Sequence, residues 1–194
     1  MVLIPWRRVE SWSCTSCGLC CTQFRVILTP HERDRLVAHF GRKIVEDHPT
    51  RPKLRKVGSR CFFQRWYEGR SYCLLQSTGL KPSACRIFPF LASWEPLKKR
   101  HEKDAFYLYD DYELYIYVNN RCPSVRLGRP TPQLAYRILP EVAQIMIEDR
   151  RRQVYTTSPT PPQPITESWP SIFDRRRTAS VLLGKNLGGE GIEL

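Results

Sequence analysis

Four thiols lie within eight residues of the sequence, in the stretch CTSCGLCC from Cys14 to Cys21. Cys14, Cys17 and Cys20 follow the C-x2-C-x2-C spacing, with which one loop of backbone wraps an iron–sulfur cluster while a fourth cysteine arrives from elsewhere in the chain. Cys122, which is followed by proline, is a cysteine of that remote kind. Gly18 suits such a loop because glycine adopts a positive φ without steric cost. The spacing therefore indicates metal ligation by thiolates.

Three further cysteines follow at equal intervals of twelve residues, each within a stretch rich in β-favouring residues. We expect these stretches to be extended segments that cross one site. In an extended backbone the neighbouring Cys20 and Cys21 would point in different directions and so serve two centres. One partition assigns the first centre to Cys14, Cys17, Cys20 and Cys122, and a second centre to Cys21, Cys61, Cys73 and Cys85.

The alternative use of eight cysteines is a disulfide framework, which needs an oxidising compartment. The first ten residues, MVLIPWRRVE, contain neither the apolar run of a signal peptide nor a small-residue cleavage site. No apolar stretch approaches the roughly 18 residues that span a bilayer. We therefore predict a cytoplasmic protein without a membrane segment, in which reduced thiols bind metal.

The two groups of cysteines together resemble a known family. The first cluster is followed about forty residues later by RCFFQRWYEGRSYCLLQSTGLKPSACRIFPF. This combination resembles the CxxCxxCC cysteine-cluster proteins, the YkgJ-like group of zinc- or iron-chelating domains, over roughly residues 11 to 125. Lys81 stands where the family usually has arginine. The resemblance implies metal binding by all eight cysteines and leaves zinc, iron and a [4Fe-4S] cluster open.

Two further expectations concern the chemistry around the metal. Arg86, next to Cys85, is expected to donate charge or hydrogen bonds to the bound group as a cofactor-binding residue. Some relatives of the family resemble iron–sulfur methyltransferases that act on protein lysine, so an enzymatic activity stays open by analogy only. No nucleophile elbow, phosphate-binding glycine loop or H-E-x-x-H motif is present. The scattered histidines are expected to be surface residues; they are His31, His39, His48 and His101.

The remaining elements can be placed coarsely. A capping box from Thr29 to Glu32 and a glycine at position 41 predict a helix over residues 30–40. Alternating aromatics predict a β-hairpin over 106–118, and an apolar stripe predicts a helix over 133–153 that Pro140 kinks or splits. We predict a small cysteine-rich α+β fold with three parts: a metal-binding domain (1–128), a helical segment packed on it (129–155), and a proline-rich linker with a basic, glycine-rich tail (156–194).

The net charge of +12 raises the question of a nucleic-acid partner. Each four-thiolate centre would carry about −2 and so offset part of this charge. No recognised nucleic-acid-binding module accompanies the basic residues, so such a partner is unsupported by a motif. The sequence favours a metal-binding protein with one or two iron–sulfur or zinc/iron centres, which serves electron transfer, metal handling or metal-dependent modification. A redox or protein partner stays open, and the alternative is a zinc-stabilised basic module that binds nucleic acid or a protein.

Overall fold

Short antiparallel strands alternate with short helices in the computed structural model, which describes residues 3–46, 48–49, 51–148 and 153–160. The strands are β1 Leu3–Pro5, β2 Val9–Trp12, β3 Val45–Glu46, β4 Lys53–Leu54, β5 Lys56–Val57, β6 Arg60–Cys61, β7 Gln64–Tyr67, β8 Arg70–Cys73, β9 Phe90–Ser93, β10 Phe106–Tyr109, β11 Tyr112–Asn119 and β12 Val125–Leu127. The α-helices are α1 Leu19–Gln23, α2 Pro30–Phe40, α3 Ser83–Ile87, α4 Glu102–Ala105 and α5 Leu139–Glu148. Helices and small antiparallel sheets in one domain confirm the α+β class.

The largest sheet has β11 at its centre. This strand pairs antiparallel with β1, β9 and β10. The predicted hairpin is confirmed: Tyr109 pairs with Tyr112 across a tight turn, and Asp110 there has a φ of 47°. Alternate residues of β11 face a hydrophobic core that α5 also lines, so the sheet and helix form two layers.

The C-terminal helix begins with a π-helical turn, Leu134–Ile138, and continues as α5. The helix changes from π to α geometry at Leu139, one residue before Pro140, because proline lacks the N–H that a regular helix needs at that position. The predicted helix therefore exists and is divided where Pro140 predicted; residues 149–152 of its predicted range lie outside the described part of the chain.

A second hydrophobic core lies under α2 and the small hairpins β3–β4, β5–β6 and β7–β8. The capping box of α2 is present: Thr29 accepts a hydrogen bond from the Glu32 backbone and donates its own N–H to the Glu32 carboxylate at 2.8 Å. Leu36 and Phe40 turn the apolar face of the helix into the core, and Gly41 ends the helix. This element agrees with the sequence prediction.

Two expectations about the cysteine segments are wrong. Cys85 lies in helix α3 rather than in an extended segment, because Pro82 begins a turn in which its carbonyl accepts hydrogen bonds from the backbone N–H groups of Cys85 and Arg86. Cys20 and Cys21 lie in helix α1, since the carbonyl of Gly18 accepts the N–H of Cys21 and starts a helical turn. Short helices thus replace strands at both places. Across the described residues, no helix has the length and apolarity needed to cross a membrane.

Candidate metal centre

The loop from Cys14 to Cys21 packs against the β7–β8 hairpin. The N–H of Ser71 donates to the carbonyl of Ser16 at 2.7 Å, and the Gln64 side chain donates to the Ser71 hydroxyl at 2.9 Å. Gly18 has a φ of 73°, and a Cβ at this position would lie 2.6 Å from Gln64 Nε2 and 2.7 Å from Ser71 Cβ. Only glycine fits both the backbone and the space, so this residue allows the loop to sit on the hairpin that carries Cys73.

Cys122 comes next to the loop through the pairing of β12 with β2. Val125 pairs with Trp12, which lies two residues before Cys14, and the hydroxyls of Thr15 and Ser124 are 2.9 Å apart. Burial raises the pKa of the Cys122 thiol, and the nearby Cys17 thiolate raises it further. The structure therefore brings the remote cysteine to the C-x2-C loop, as its predicted role requires.

A second group of five thiols includes those of Cys20 and Cys21, the last two residues of the loop. The sulfur atoms of Cys20 and Cys21 are 3.8 Å apart. Burial raises the pKa of Cys61 to about 11 and raises the pKa of Cys85 strongly, and the charges of neighbouring thiolates add to both effects. The thiols whose charges act on one another in this group are those of Cys20, Cys21, Cys61, Cys73 and Cys85.

Cys14 connects the two groups of thiols. Burial is the main cause that raises its pKa, and the charges of both Cys20 and Cys122 raise it further. Cys20 behaves differently: a hydrogen bond from Cys21 lowers the pKa of Cys20 to about 7, and the positive charge of Lys81 contributes in the same direction. Cys14 thus lies near thiols of both groups, and we refer to the eight cysteines together as the cysteine cluster.

Two lysines supply positive charge to this cluster. Lys81 contributes to the lowered pKa of Cys20 and offsets part of the rise that burial causes in the pKa of Cys14, Cys73 and Cys85. Lys56 offsets part of the rise in the pKa of Cys61 and donates a hydrogen bond to the carbonyl of Thr22 near the end of α1. In the sequence, Lys81 was notable only because it stands where the family usually has arginine. Its positive charge near the thiols becomes evident only in the folded structure.

The residues fit a metal bound by thiolates, although none of the described His, Cys, Asp and Glu side chains form a group of three or more arranged to hold a metal ion. All eight cysteines are free, and thiolates select zinc and iron–sulfur groups. The buried indole N–H of Trp12 has no oxygen or nitrogen acceptor. It offsets part of the rise in the pKa of Cys122, because an N–H that donates to a sulfur stabilises the thiolate form. Donors of this kind stabilise metal-bound thiolates.

The cluster lies between the two hydrophobic cores. Cys14 and Cys122 pack with the core of the large sheet, whereas Cys61 and Cys73 pack with the core beneath α2. Glu32 adds a polar link, because its carboxylate also accepts hydrogen bonds from the backbone and side chain of Ser83, at the start of the helix that carries Cys85. Metal bound by the cysteines of both cores would stabilise the contact between the two halves of the domain.

The remaining predicted site residues have different surroundings. Arg86 is 5% exposed in α3, and its carbonyl accepts a hydrogen bond from Gln153; its role toward the metal stays a prediction. His31, His39 and His48 are exposed, and His101 is half-buried. Sequence reasoning missed Trp12 and Lys81 as parts of the site, because neither has a characteristic spacing from the cysteines that it faces.

The part of the chain that contains the cysteines matches a known protein family. Residues 13–125 match the model of the CxxCxxCC family, which is described as "Putative zinc- or iron-chelating domain". The match covers more than half of the chain. This chain belongs to the CxxCxxCC family. Comparison with curated proteins and with solved structures finds no significant match.

Membership of the CxxCxxCC family supports metal binding by this protein and leaves zinc and iron as the two metals. The matched residues include all eight cysteines and Lys81. They do not include α5 or the described segment 153–160 that follows it. Contacts that α5 and residues 153–160 make with the site therefore lie outside the region that defines the CxxCxxCC family.

Proposed function

We propose that this protein is an iron–sulfur protein in which two neighbouring [4Fe-4S] centres serve electron transfer. The proposal is supported by the place of Cys122 beside the C-x2-C loop, where its thiol lies near those of Cys14 and Cys17, as the iron–sulfur spacing requires of a remote fourth cysteine. The first centre would be held by Cys14, Cys17, Cys20 and Cys122, and the second by Cys21, Cys61, Cys73 and Cys85. When bound, such groups supply one-electron redox chemistry.

The protein residues support this chemistry in three ways. The eight cysteines supply four thiolates to each centre and so leave no open position for a substrate. Lys81 and the Trp12 N–H offset the negative charge that the thiolates bring into a partly buried site. Cys20 and Cys21, whose sulfurs are 3.8 Å apart, would belong to different centres and keep these close together.

Metal and sulfide analysis of protein purified without oxygen tests this proposal. We expect iron and acid-labile sulfide in equal amounts, with broad absorption near ~400 nm that bleaches on reduction. Zinc without sulfide would overturn the iron–sulfur assignment, and a full-length protein without any bound metal would overturn the metal centre itself.

The β7–β8 hairpin supports a second candidate, a zinc-stabilised basic module that binds single-stranded nucleic acid. Trp66 is 46% exposed and Tyr67 is 38% exposed at its tip, beside the exposed Arg70. Exposed aromatic rings stack on bases, and arginine contacts phosphate. Zinc content together with RNA binding that weakens steeply with salt would favour this candidate; loss of that binding in Trp66→Ala would assign it to the hairpin.

A further inference from the structure

Residues 153–158, which we call the strap, follow α5 and lie against the segment that carries the second group of cysteines. The strap starts at Gln153, whose side chain donates to the carbonyl of Arg86 at 2.9 Å. Arg86 directly follows Cys85 in α3. The chain after α5 is therefore attached to the helix that carries one of the predicted ligands.

Glu141 of α5 fixes the middle of the strap. Its side chain is buried, with the residue 6% exposed, and it accepts backbone hydrogen bonds from Val154 at 2.9 Å, Tyr155 at 3.0 Å and Thr156 at 2.8 Å. The Thr156 hydroxyl donates a further bond. A buried carboxylate needs such donors, and here the strap supplies every one that is seen. Glu141 and the strap thus stabilise each other.

The end of the strap contacts Gln76 and Lys81, which lie between Cys73 and Cys85 in the chain. The Ser158 hydroxyl donates to Gln76 Oε1 at 2.9 Å, and the Gln76 amide donates to the Thr157 hydroxyl. Lys81 donates to Gln76 Oε1 at 2.7 Å and to the Ser158 hydroxyl at 3.4 Å. Gln76 itself is tied to the cysteine segment, since its N–H donates to the carbonyl of Cys73 at 3.0 Å.

The position of Lys81 matters because of the charge that it faces. Lys81 lies four residues before Cys85, and its ammonium group bonds the side chain of Gln76, whose backbone is in turn bonded to Cys73. Two four-thiolate centres would bring about −4 of charge into a partly buried space. An ammonium group that is already held in place offsets this charge more effectively than a mobile one, because no further side-chain entropy is lost when metal binds.

We propose that the strap is a working part of the metal centre: it holds the Lys81 ammonium beside the thiolates, and Glu141, Gln76 and Ser158 are the positioning residues. This inference rests on the proposed metal centre. It adds Glu141 and residues 153–158 to a site that the family match confines to residues 13–125. The strap should therefore determine how firmly the metal is held and, for an iron–sulfur group, the potential at which it is reduced.

The test uses Glu141→Gln in the full-length, metal-loaded protein, with Glu113→Gln as the control. Glu113 is an exposed residue of β11 on a different element from the strap. Glu141→Gln should raise amide hydrogen exchange at residues 154–156 and accelerate metal transfer to a chelator about 10- to 100-fold, as loss of residues that support metal ligands does. Glu113→Gln should leave both rates unchanged.

Two variants of Lys81 complete the test. Lys81→Met should accelerate metal loss and shift any reduction potential to more negative values while the strap amides stay protected, because it removes charge and leaves Glu141 in place. Lys81→Arg should restore both quantities. The inference is overturned if Glu141→Gln exposes the strap amides and metal loss keeps its wild-type rate, or if Lys81→Met loses metal no faster than Lys81→Arg. Absence of metal from the wild-type protein would instead show that the proposed function itself has failed.

Discussion

At the scale of single residues, Gly18 is the position most tightly determined by its surroundings. It combines a positive φ with contacts that leave no room for a Cβ between the cysteine loop and the β7–β8 hairpin. The sequence predicted the need for a positive φ, and this is confirmed. The close approach of the hairpin could not be predicted, because Gln64 and Ser71 lie about fifty residues away in the chain.

Gly18→Ala should destabilise the protein more than Gly58→Ala does. Gly58 also has a positive φ, at 60°, but nothing lies within 4 Å of a Cβ there, so its variant measures the backbone cost alone, about 1–2 kcal/mol. At Gly18 the contacts with Gln64 and Ser71 should add about 1–3 kcal/mol. Urea unfolding of both variants gives the comparison, and equal losses would contradict the packing described for this loop.

Cys17→Ser should remove the metal of the first centre, because serine lacks the thiolate that binds zinc or iron. His39→Ala is the matched control: the residue is exposed, and its ring nitrogen bonds the carbonyl of Arg35 at 2.9 Å within α2. Elemental analysis of both proteins should show a loss in the first only. The same metal content in both variants would rule out Cys17 as a ligand.

At the scale of elements, the confirmed predictions are those that depend only on residues close together in the chain. Helix α2 has a capping box, and the β10–β11 hairpin has alternating aromatics and a tight turn, so both follow from neighbouring residues. Helices α1 and α3 are each five residues long and depend on how Gly18 and Pro82 start a turn. The β-favouring residues around Cys85 pointed to a strand, and the turn at Pro82 overrode that preference.

The attachment of the strap to α5 should depend on pH. Burial alone would raise the pKa of Glu141, but the hydrogen bonds from Thr156, Tyr155 and Val154 outweigh it and lower the pKa below its ordinary value of 4.5. The stabilisation is therefore fully present above pH 4.5 and is lost as the pH falls through the lower, folded-state pKa.

Unfolding of the wild type and of Glu141→Gln, compared at several pH values, measures this effect. At neutral pH the substitution should cost about 1.5–3 kcal/mol, the range for a hydrogen-bonded charged group. The difference between the two proteins should shrink as the pH falls below 4.5. A difference that stays constant between neutral and acid pH would show that the Glu141 carboxylate does not hold the strap in its charged form.

At the scale of the whole molecule, two hydrophobic cores meet at the cysteines. The sequence predicted the ligand set and one α+β domain, but it did not indicate two cores, because the division depends on which hairpins pack together. The predicted division into residues 1–128, 129–155 and 156–194 stays a prediction. Most of the predicted linker and tail, residues 161–194, lies outside the described part of the chain.

Removal of the metal should separate the unfolding of the two cores. With metal bound, the first centre holds cysteines of the large-sheet core and the second holds cysteines of the core beneath α2, and the neighbouring Cys20 and Cys21 join the two centres. The domain should therefore unfold in one cooperative transition. After treatment with a chelator under reducing conditions, two transitions at lower temperatures should appear in calorimetry. Restoring the metal should recover the single transition, whereas an identical profile with and without metal would exclude this cross-linking role.

X-ray absorption at the K-edge of the bound metal tests the central claim most directly, since it counts the atoms around the metal whatever the element is. The structure predicts a shell of four sulfur atoms at about 2.3 Å in protein purified without oxygen. A shell made mainly of nitrogen and oxygen would contradict the assignment of the eight cysteines as metal ligands.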